Sequence, residues 1–230
     1  MILNLKTKNT MDLVTIVNAV APSYDSIKTE ISELRNSYPT KTNMELAEIY
    51  GNRLRNKYTS VGVGSALPSV IPGLGTAAQI AVEAGTISAD LALMLRWMAA
   101  NCYGIALTYE RNIENEFTQE FVKILGLWCG VIKSAQQVST KILTKVAVVQ
   151  FNKNVSGKIL QKINQKVGFT LLTKYGTKRG GITLGKLIPF GIGVAIAGTF
   201  NYVTMNNFKK SAIEYFKADE GAEYIIIDED

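Results

Sequence analysis

The sequence predicts an all-α protein, a single multi-helix bundle whose central helices are rich in glycine, alanine and other apolar residues. Apolar residues recur at helical spacing, Gly and Pro separate those stretches, and 47% of the 230 residues are hydrophobic. A chain of this length can bury one sizeable core. Its mean hydropathy of +0.11 lies towards the membrane-associated end of the range. We expect residues 1–42 to be an N-terminal helical segment, residues 43–217 the main helical domain, and residues 218–230 an acidic tail.

Three amphipathic helices are expected near the N-terminus. The first has Thr10 as its N-cap and ends near Pro22, where the fixed backbone angle of proline interrupts it. The second continues from Asp25 until Pro39 breaks it. The third begins with Asn43 as its cap. We expect these helices to form one layer against the rest of the protein.

A long apolar helix is expected in the middle of the chain. Residues 59–82 carry no charge and are dense in Gly and Pro, which argues against a straight membrane-spanning helix there. From position 76 to about 108 the pattern is helical and apolar around most of the circumference, as in a helix that is central or membrane-embedded. Residues 188–193 have a Pro followed by small residues, as does the Gly- and Pro-rich stretch within residues 59–82. The two Gly-rich segments predict either two closely crossing helices or a membrane-insertable hairpin.

The second half of the chain is expected to be helical as well. The predicted helices cover residues 118–133, 138–151 and 155–172, followed by a helix that ends near Phe216. The helix over 155–172 carries one apolar stripe formed by Val155, Ile159, Leu160, Ile163, Val167 and Leu171. The tail over 224–230 is predicted to be a short strand or a docking strip.

The net charge of +6 is distributed unevenly along the chain. Residues 1–120 hold 10 basic and 12 acidic side chains, residues 121–213 hold 14 basic and none acidic, and residues 214–230 hold 7 acidic and one basic. Blocks of like charge usually provide a field for a partner or for another part of the same chain. Both interpretations are open at this point.

The amino-acid composition argues against most classes of enzyme. Histidine is absent, and with it the commonest general base near neutral pH, the commonest metal ligand and every Ser-His or Cys-His arrangement. Cys102 and Cys129 lack CxxC spacing, so we expect reduced, buried packing residues. We therefore expect a non-enzymatic protein without cofactor, catalytic residue or metal ligand. The N-terminus lacks a signal-peptide pattern, which predicts a protein retained inside the cell.

Two blocks of the sequence resemble the EcsC family. The first consists of Asp90-Leu91, Leu95-Arg96, Ala99-Ala100 and Tyr103-Gly104. The second consists of Lys186-Leu187-Ile188-Pro189-Phe190-Gly191, then Gly198, Asn201 and the stretch from Ala212 to Phe216. The family has a glycine pair in its last helix where this chain has Ala197-Gly198. The resemblance spans about residues 45–217 and implies a compact helical protein associated with membrane transport or secretion, without catalytic residues to carry over.

Six basic residues are candidates for contact with an anionic membrane or another anionic partner: Lys158, Lys162, Lys166, Lys174, Lys178 and Arg179. The first three repeat at i, i+4 beside the apolar stripe. Each would contribute roughly 1 kcal/mol close to an anionic bilayer. The alternatives are a solvated face, a seat for the acidic tail, and a site for an acidic protein or nucleic acid. Nucleic acid is the weakest of these because no aromatic residues are interleaved as stacking platforms.

Glu83, Asp90 and Arg96 interrupt the long apolar helix and are candidates for buried polar or ion-paired groups. A charge in such a helix must be paired, neutralised or placed in a polar cavity, because isolated burial is costly. For Asp90 the options are an ion pair with a lysine of the basic half, a site for a small ion or head group, and acid/base catalysis. Arg96 lies six residues beyond Asp90 and points elsewhere, so it is not an obvious partner on the same helix.

These features together predict a membrane-associated, non-enzymatic helical binding or accessory protein, which the EcsC resemblance links to transport or secretion. Its basic helices would lie on an anionic leaflet at the cytoplasmic face, and its Gly-rich helices would pack or partly insert. A membrane protein partner fits the same hypothesis, and the sequence does not define an oligomeric state. The alternatives are a pore-forming or membrane-permeabilising toxin domain and, in a different class, an enzyme that works through Asp90 or a glutamate.

Overall fold

The computed structural model of the chain describes residues 13–61, 89–134, 148–149, 161–163, 165, 197–218 and 224–226. Six helices lie in these ranges: α1 (Leu13–Val20), α2 (Tyr24–Ser37), α3 (Asn43–Val61), α4 (Ala89–Thr108), α5 (Phe117–Trp128) and α6 (Ala197–Lys217). Residues 161–163 and 165 are also helical. Three short strands accompany them: β1 (Ile132–Ser134), β2 (Val148–Val149) and β3 (Tyr224–Ile226). The prediction of an all-α bundle with a short C-terminal strand is confirmed.

Helix α4 occupies the centre of the bundle. It is apolar around nearly its whole circumference, so it needs neighbours on every side. It contacts α1, α2, α3, α5 and α6, and every residue from 98 to 106 is buried. The predicted end of this helix at about Thr108 is confirmed. Its predicted start at position 76 lies outside the described residues.

A row of aromatic rings crosses the core from α2 through α4 and α5 to α6. The ring centroids are 5.3 Å apart for Tyr24 and Tyr103, 4.2 Å for Tyr103 and Phe117, 5.6 Å for Phe117 and Phe121, and 5.7 Å for Phe121 and Phe208. Each such pair adds about 0.5–1.5 kcal/mol beyond the burial of its area. The N-terminal helices therefore share one core with α4, α5 and α6.

Helix α3 begins with a capping box at Thr42. The Thr42 hydroxyl accepts a hydrogen bond from the Glu45 N–H at 3.3 Å, and the Glu45 carboxylate accepts one from the Thr42 N–H at 2.9 Å. The Asn43 side chain instead accepts hydrogen bonds from Arg35 at 3.3 Å. The predicted cap at Asn43 was therefore wrong by one residue, because a Thr with a Glu three positions later satisfies two backbone N–H groups at once.

The three strands form an antiparallel sheet in the order β1-β3-β2. The central strand comes from the tail: Ile225 lies opposite Lys133 of β1 on one side and Val148 of β2 on the other. Two helix predictions were wrong here. Helix α5 ends at Trp128 instead of continuing to position 133, and two residues within the predicted helix 138–151 form β2.

The end of α5 has a local cause that the apolar periodicity hides. Gly130 adopts a φ of 76°, a left-handed conformation that terminates helices and suits glycine. The residues that follow, such as Val131 and Ile132, are β-branched and favour an extended backbone.

Gly104 lets helices α3 and α4 approach closely. A Cβ atom at this position would overlap the ring of Tyr50, which is buried on α3. The ring is held in place because its hydroxyl donates a hydrogen bond to the Ala100 carbonyl at 3.4 Å. The Tyr103-Gly104 pair of the EcsC-like block lies inside α4, one turn before its end, and its glycine is needed for this contact.

We expect Gly104→Ala to lower the free energy of unfolding by about 1–3 kcal/mol, because the added methyl group overpacks a filled site. Alanine otherwise favours a helix over glycine by about 1 kcal/mol, so any loss reports the steric conflict. The cost should shrink in a Tyr50→Leu background, which removes the ring. Urea unfolding of the four proteins completes a double-mutant cycle, and equal costs in both backgrounds would show that Tyr50 is not the obstacle.

A second prediction concerns the capping box. Hydrogen bonds from the Lys41 ammonium and from the backbone and hydroxyl of Thr42 lower the pKa of Glu45 from 4.5 to about 2. Since the folded pKa is depressed, the stability that this carboxylate contributes is present above pH 4.5 and is lost as the pH falls towards about 2. Glu45→Gln keeps a capping side chain but cannot titrate. Its unfolding free energy should therefore fall less steeply with pH across this window than that of the wild type, and parallel curves in denaturant titrations would contradict this.

Candidate functional site

Most of the predicted basic contact residues lie outside the described residues: Lys158, Lys166, Lys174, Lys178 and Arg179. Lys162 is described and is exposed, whereas Ile163 beside it is fully buried. The Ile163 side chain packs over Gly126 of α5. The apolar stripe and the lysine flank predicted for this segment are thus present at these two positions.

The structure describes the three residues predicted to be buried polar or ion-paired groups of the long helix to different extents. Glu83 lies outside the described residues, and Asp90 is placed only by its backbone in α4. The Arg96 guanidinium is half-buried and donates to the Val20 carbonyl at 3.0 Å. Burial lowers the pKa of this guanidinium. Among the described residues no carboxylate pairs with Arg96, and the ion pair considered for these candidates stays a prediction.

Arg96 is one of three arginines that cap the C-terminal ends of helices. Arg96 donates to Val20 of α1 at 3.0 Å, Arg35 to Thr108 of α4 at 2.6 Å, and Arg111 to Ala218 just after α6 at 2.6 Å. The last carbonyls of a helix lack intrahelical partners and carry partial negative charge, so a guanidinium satisfies them in both respects. These three cations therefore stabilise the fold.

A buried polar cluster joins α5 to the tail. The Lys123 ammonium and the Glu120 carboxylate form an ion pair of 2.7 Å with side chains 8% and 10% exposed. The hydroxyl of Tyr215 is hydrogen-bonded to Glu120. Burial raises the pKa of Tyr215 most, and the negative charge of this carboxylate raises it further. The Tyr224 ring of β3 lies 5.8 Å from that of Tyr215, and burial raises the pKa of Tyr224 to about 12. Both phenols stay protonated at neutral pH, so this cluster anchors the C-terminal strand and supplies no tyrosinate base.

The open polar site of the bundle lies along the seam between α3 and α6. The residues of this α3–α6 seam are Glu48, Asn52, Arg55 and Asn56 on α3, with Tyr202, Asn206 and Lys209 on α6. Apart from Asn56, they recur at i, i+4 and i+7 on each helix and so lie on one face. The helices are antiparallel here, because Lys209 meets Glu48 while Arg55 meets Asn206.

Lys209 forms the inner end of the α3–α6 seam. Its side chain is 5% exposed, and its ammonium donates to Glu48 at 2.5 Å and to Asn52 at 2.9 Å. The lysine stem crosses α3 directly over Gly51, where a Cβ atom would lie 2.5 Å from Lys209 Cγ. Burial of this ammonium is tolerated because both the carboxylate and the amide accept from it.

Arg55 forms the outer end of the seam and is held by neutral groups. Its Nη1 donates to Asn206 at 3.1 Å, while its Nε and Nη2 donate to Asn56 at 3.2 and 3.0 Å. The guanidinium carbon lies 4.2 Å from the ring centroid of Tyr202, which is 41% exposed. Within the described part of the chain, no carboxylate forms an ion pair with Arg55. The seam thus holds a half-buried positive charge beside the exposed ring of Tyr202.

The described residues show two further features that bear on function. Cys102 and Cys129 are reduced and buried, as predicted, and burial raises the pKa of the Cys102 thiol well above its usual value. No group of three or more Cys, Asp or Glu suited to a metal ion occurs in this part of the protein.

None of the helices in the described ranges combines the length and the apolar character needed to cross a bilayer. The Gly-rich segments at 62–75 and 188–193, on which the hairpin prediction rests, lie outside these ranges.

The ion pair of the α3–α6 seam yields a stability prediction. Glu48→Ala leaves the buried Lys209 ammonium without its carboxylate, and we expect a loss of about 1–3 kcal/mol. The expected loss is below that for a fully buried pair because the Glu48 side chain is 39% exposed. Adding Lys209→Met should recover part of it by removing the unpaired charge. Glu33→Ala, at an exposed position of α2, is the control and should change the unfolding midpoint little. No recovery in the double variant would contradict the pairing.

A comparison of the chain with protein-family models, with curated proteins and with solved structures finds no match. The resemblance to the EcsC family therefore stays a prediction from the sequence motifs.

Proposed function

We propose that this protein is a membrane-associated, non-enzymatic helical binding or accessory protein at the cytoplasmic face of a membrane. The contact with anionic lipid is made by Lys158, Lys162, Lys166, Lys174, Lys178 and Arg179. One observation carries the proposal: residues 121–213 contain 14 basic side chains and no acidic one. The EcsC-like motifs add the link to transport or secretion.

The described lysines of residues 121–213 fall into a buried group and an exposed group, which supports this proposal. Lys123 and Lys209 are buried and each has a carboxylate partner inside the protein. Lys133, Lys162 and Lys210 are exposed. The described part of the basic block thus contains both buried, ion-paired lysines and lysines at the surface, and a surface lysine contributes about 1 kcal/mol of attraction close to an anionic leaflet.

The acidic tail is an alternative to anionic lipid as the partner of this basic segment. Its strand β3 pairs with β1 and β2, which both belong to the basic block. The 7 acidic residues of positions 214–230 therefore lie close in sequence to a strand that is fixed between two segments of that block. Neutralisation within the chain is the alternative that this topology favours, and a binding experiment separates it from lipid contact.

We expect the full chain to sediment with vesicles that contain phosphatidylserine and to stay in solution with pure phosphatidylcholine. Binding should fall as salt rises, because exposed charges are screened over about 8 Å at physiological ionic strength. The triple variant Lys158→Gln, Lys162→Gln and Lys166→Gln should bind about a hundredfold more weakly, at roughly 1 kcal/mol for each lysine.

The matched control removes three lysines from the near-neutral half: Lys6→Gln, Lys8→Gln and Lys28→Gln. This variant should keep most of the affinity. Equal losses in the two triple variants, or binding that ignores lipid charge and salt, would contradict the proposal. Release of a trapped dye from the vesicles would favour the pore-forming alternative.

A further inference from the structure

Arg55 differs from the three arginines that cap helix ends. Arg35, Arg96 and Arg111 each donate to a carbonyl at a helix end. Among the described residues, Arg55 donates to the side-chain oxygens of Asn56 and Asn206 and lies against the ring of Tyr202. These groups fix the position of the guanidinium without cancelling its charge.

The guanidinium keeps donors for a ligand. An arginine guanidinium has five N–H groups. Three of those of Arg55 donate to the two asparagines. With respect to the described part of the protein, one N–H therefore remains on each terminal nitrogen. Because the planar group is stacked at 4.2 Å from the Tyr202 centroid, little rotamer freedom is left to lose on binding. Such preorganisation lowers the entropic cost of association.

The local charge also favours an anion. No acidic residue occurs in the stretch 49–61 of α3 or in the stretch 197–213 of α6. These stretches carry five basic residues, namely Arg53, Arg55, Lys57, Lys209 and Lys210, and Lys209 is paired with Glu48. The field around Arg55 is therefore positive, and Tyr202 is open to the surface.

We propose that Arg55, ordered by Tyr202, Asn56 and Asn206, binds a phosphate group. Two guanidinium donors match the oxygens of a phosphate, and the charged hydrogen bonds they form are about twice as strong as neutral ones. The phosphate comes either from a lipid head group or from a free phosphate compound. The lipid source rests on the proposed function, whereas phosphate binding as such does not.

The test follows NMR resonances of the full chain during titration with inorganic phosphate, with chloride at equal ionic strength as the reference. The reporters are the Arg55 Nε–H and the side-chain amide of Asn206. Both should shift saturably with phosphate and not with chloride. Arg55→Lys keeps the charge but loses the planar fork and the stacking. It should weaken the phosphate response of Asn206 about tenfold, the effect of one lost charged hydrogen bond.

Arg53→Gln is the matched control, since it removes a basic residue two positions away whose guanidinium lies over a different ring, that of Tyr38. Because Arg53 adds only to the surrounding positive field, this variant should weaken the phosphate response much less than Arg55→Lys does. Tyr202→Leu keeps Arg55 but removes its stacking surface and should weaken binding; this variant also tests the site if Arg55→Lys does not fold. A shift that is linear in phosphate, or equal in the Arg55→Lys and Arg53→Gln variants, overturns the proposal.

Vesicles of phosphatidylcholine doped with phosphatidic acid identify the source of the phosphate. If Arg55→Lys weakens vesicle binding more than Arg53→Gln does, the ligand is a lipid head group. If the phosphate shift is saturable and vesicle binding is equal in both variants, the site holds and takes a free phosphate compound. If the wild type binds phosphate at Arg55 but no anionic vesicle, the proposed function fails and the phosphate site stands.

Discussion

The fold depends on the need to cover α4 on every side. A helix whose surface is apolar all round is stable in water only when neighbours surround it. Helices α1, α2, α3, α5 and α6 meet this need, and close approach at Gly104 allows α3 to lie directly on it. The aromatic row through Tyr103 and Phe117 continues the same core into α5 and α6.

The bundle divides its cations between structural and surface roles. Three arginines close helix ends, and two buried lysines pair with glutamates. Unpaired burial of such groups would be costly, so these positions are fixed by folding. Lys133 and Lys210 lie exposed at the surface, and Arg55 has no carboxylate partner among the described residues. A net charge of +6 therefore acts mainly outside the core, where it attracts anions and is screened by salt.

Local patterns predicted the fold well and the polar contacts poorly. Apolar periodicity located the helices between Leu13 and Thr108, and it failed after Trp128, where one left-handed glycine redirects the chain into a strand. The Thr42 capping box was readable from the spacing of Thr and Glu, as was the i, i+3 pair of Glu120 and Lys123. By contrast, Glu48 and Lys209 are 161 positions apart, and Arg55 and Asn206 are 151 apart. No local signal marks such pairs, because only the tertiary packing of α3 on α6 brings them together.

We propose that the protein meets an anionic membrane as an intact bundle. Hydrogen exchange of the full chain, with and without phosphatidylserine vesicles, tests it most directly because it reports local opening one segment at a time. The account predicts slower exchange for amides of residues 155–179 on vesicle binding, with protection of the amides of α4 unchanged. Loss of protection in α4 would mean that the bundle opens to insert, as a pore-forming domain does. Unchanged exchange in residues 155–179 under conditions of full binding would show that another surface makes the contact.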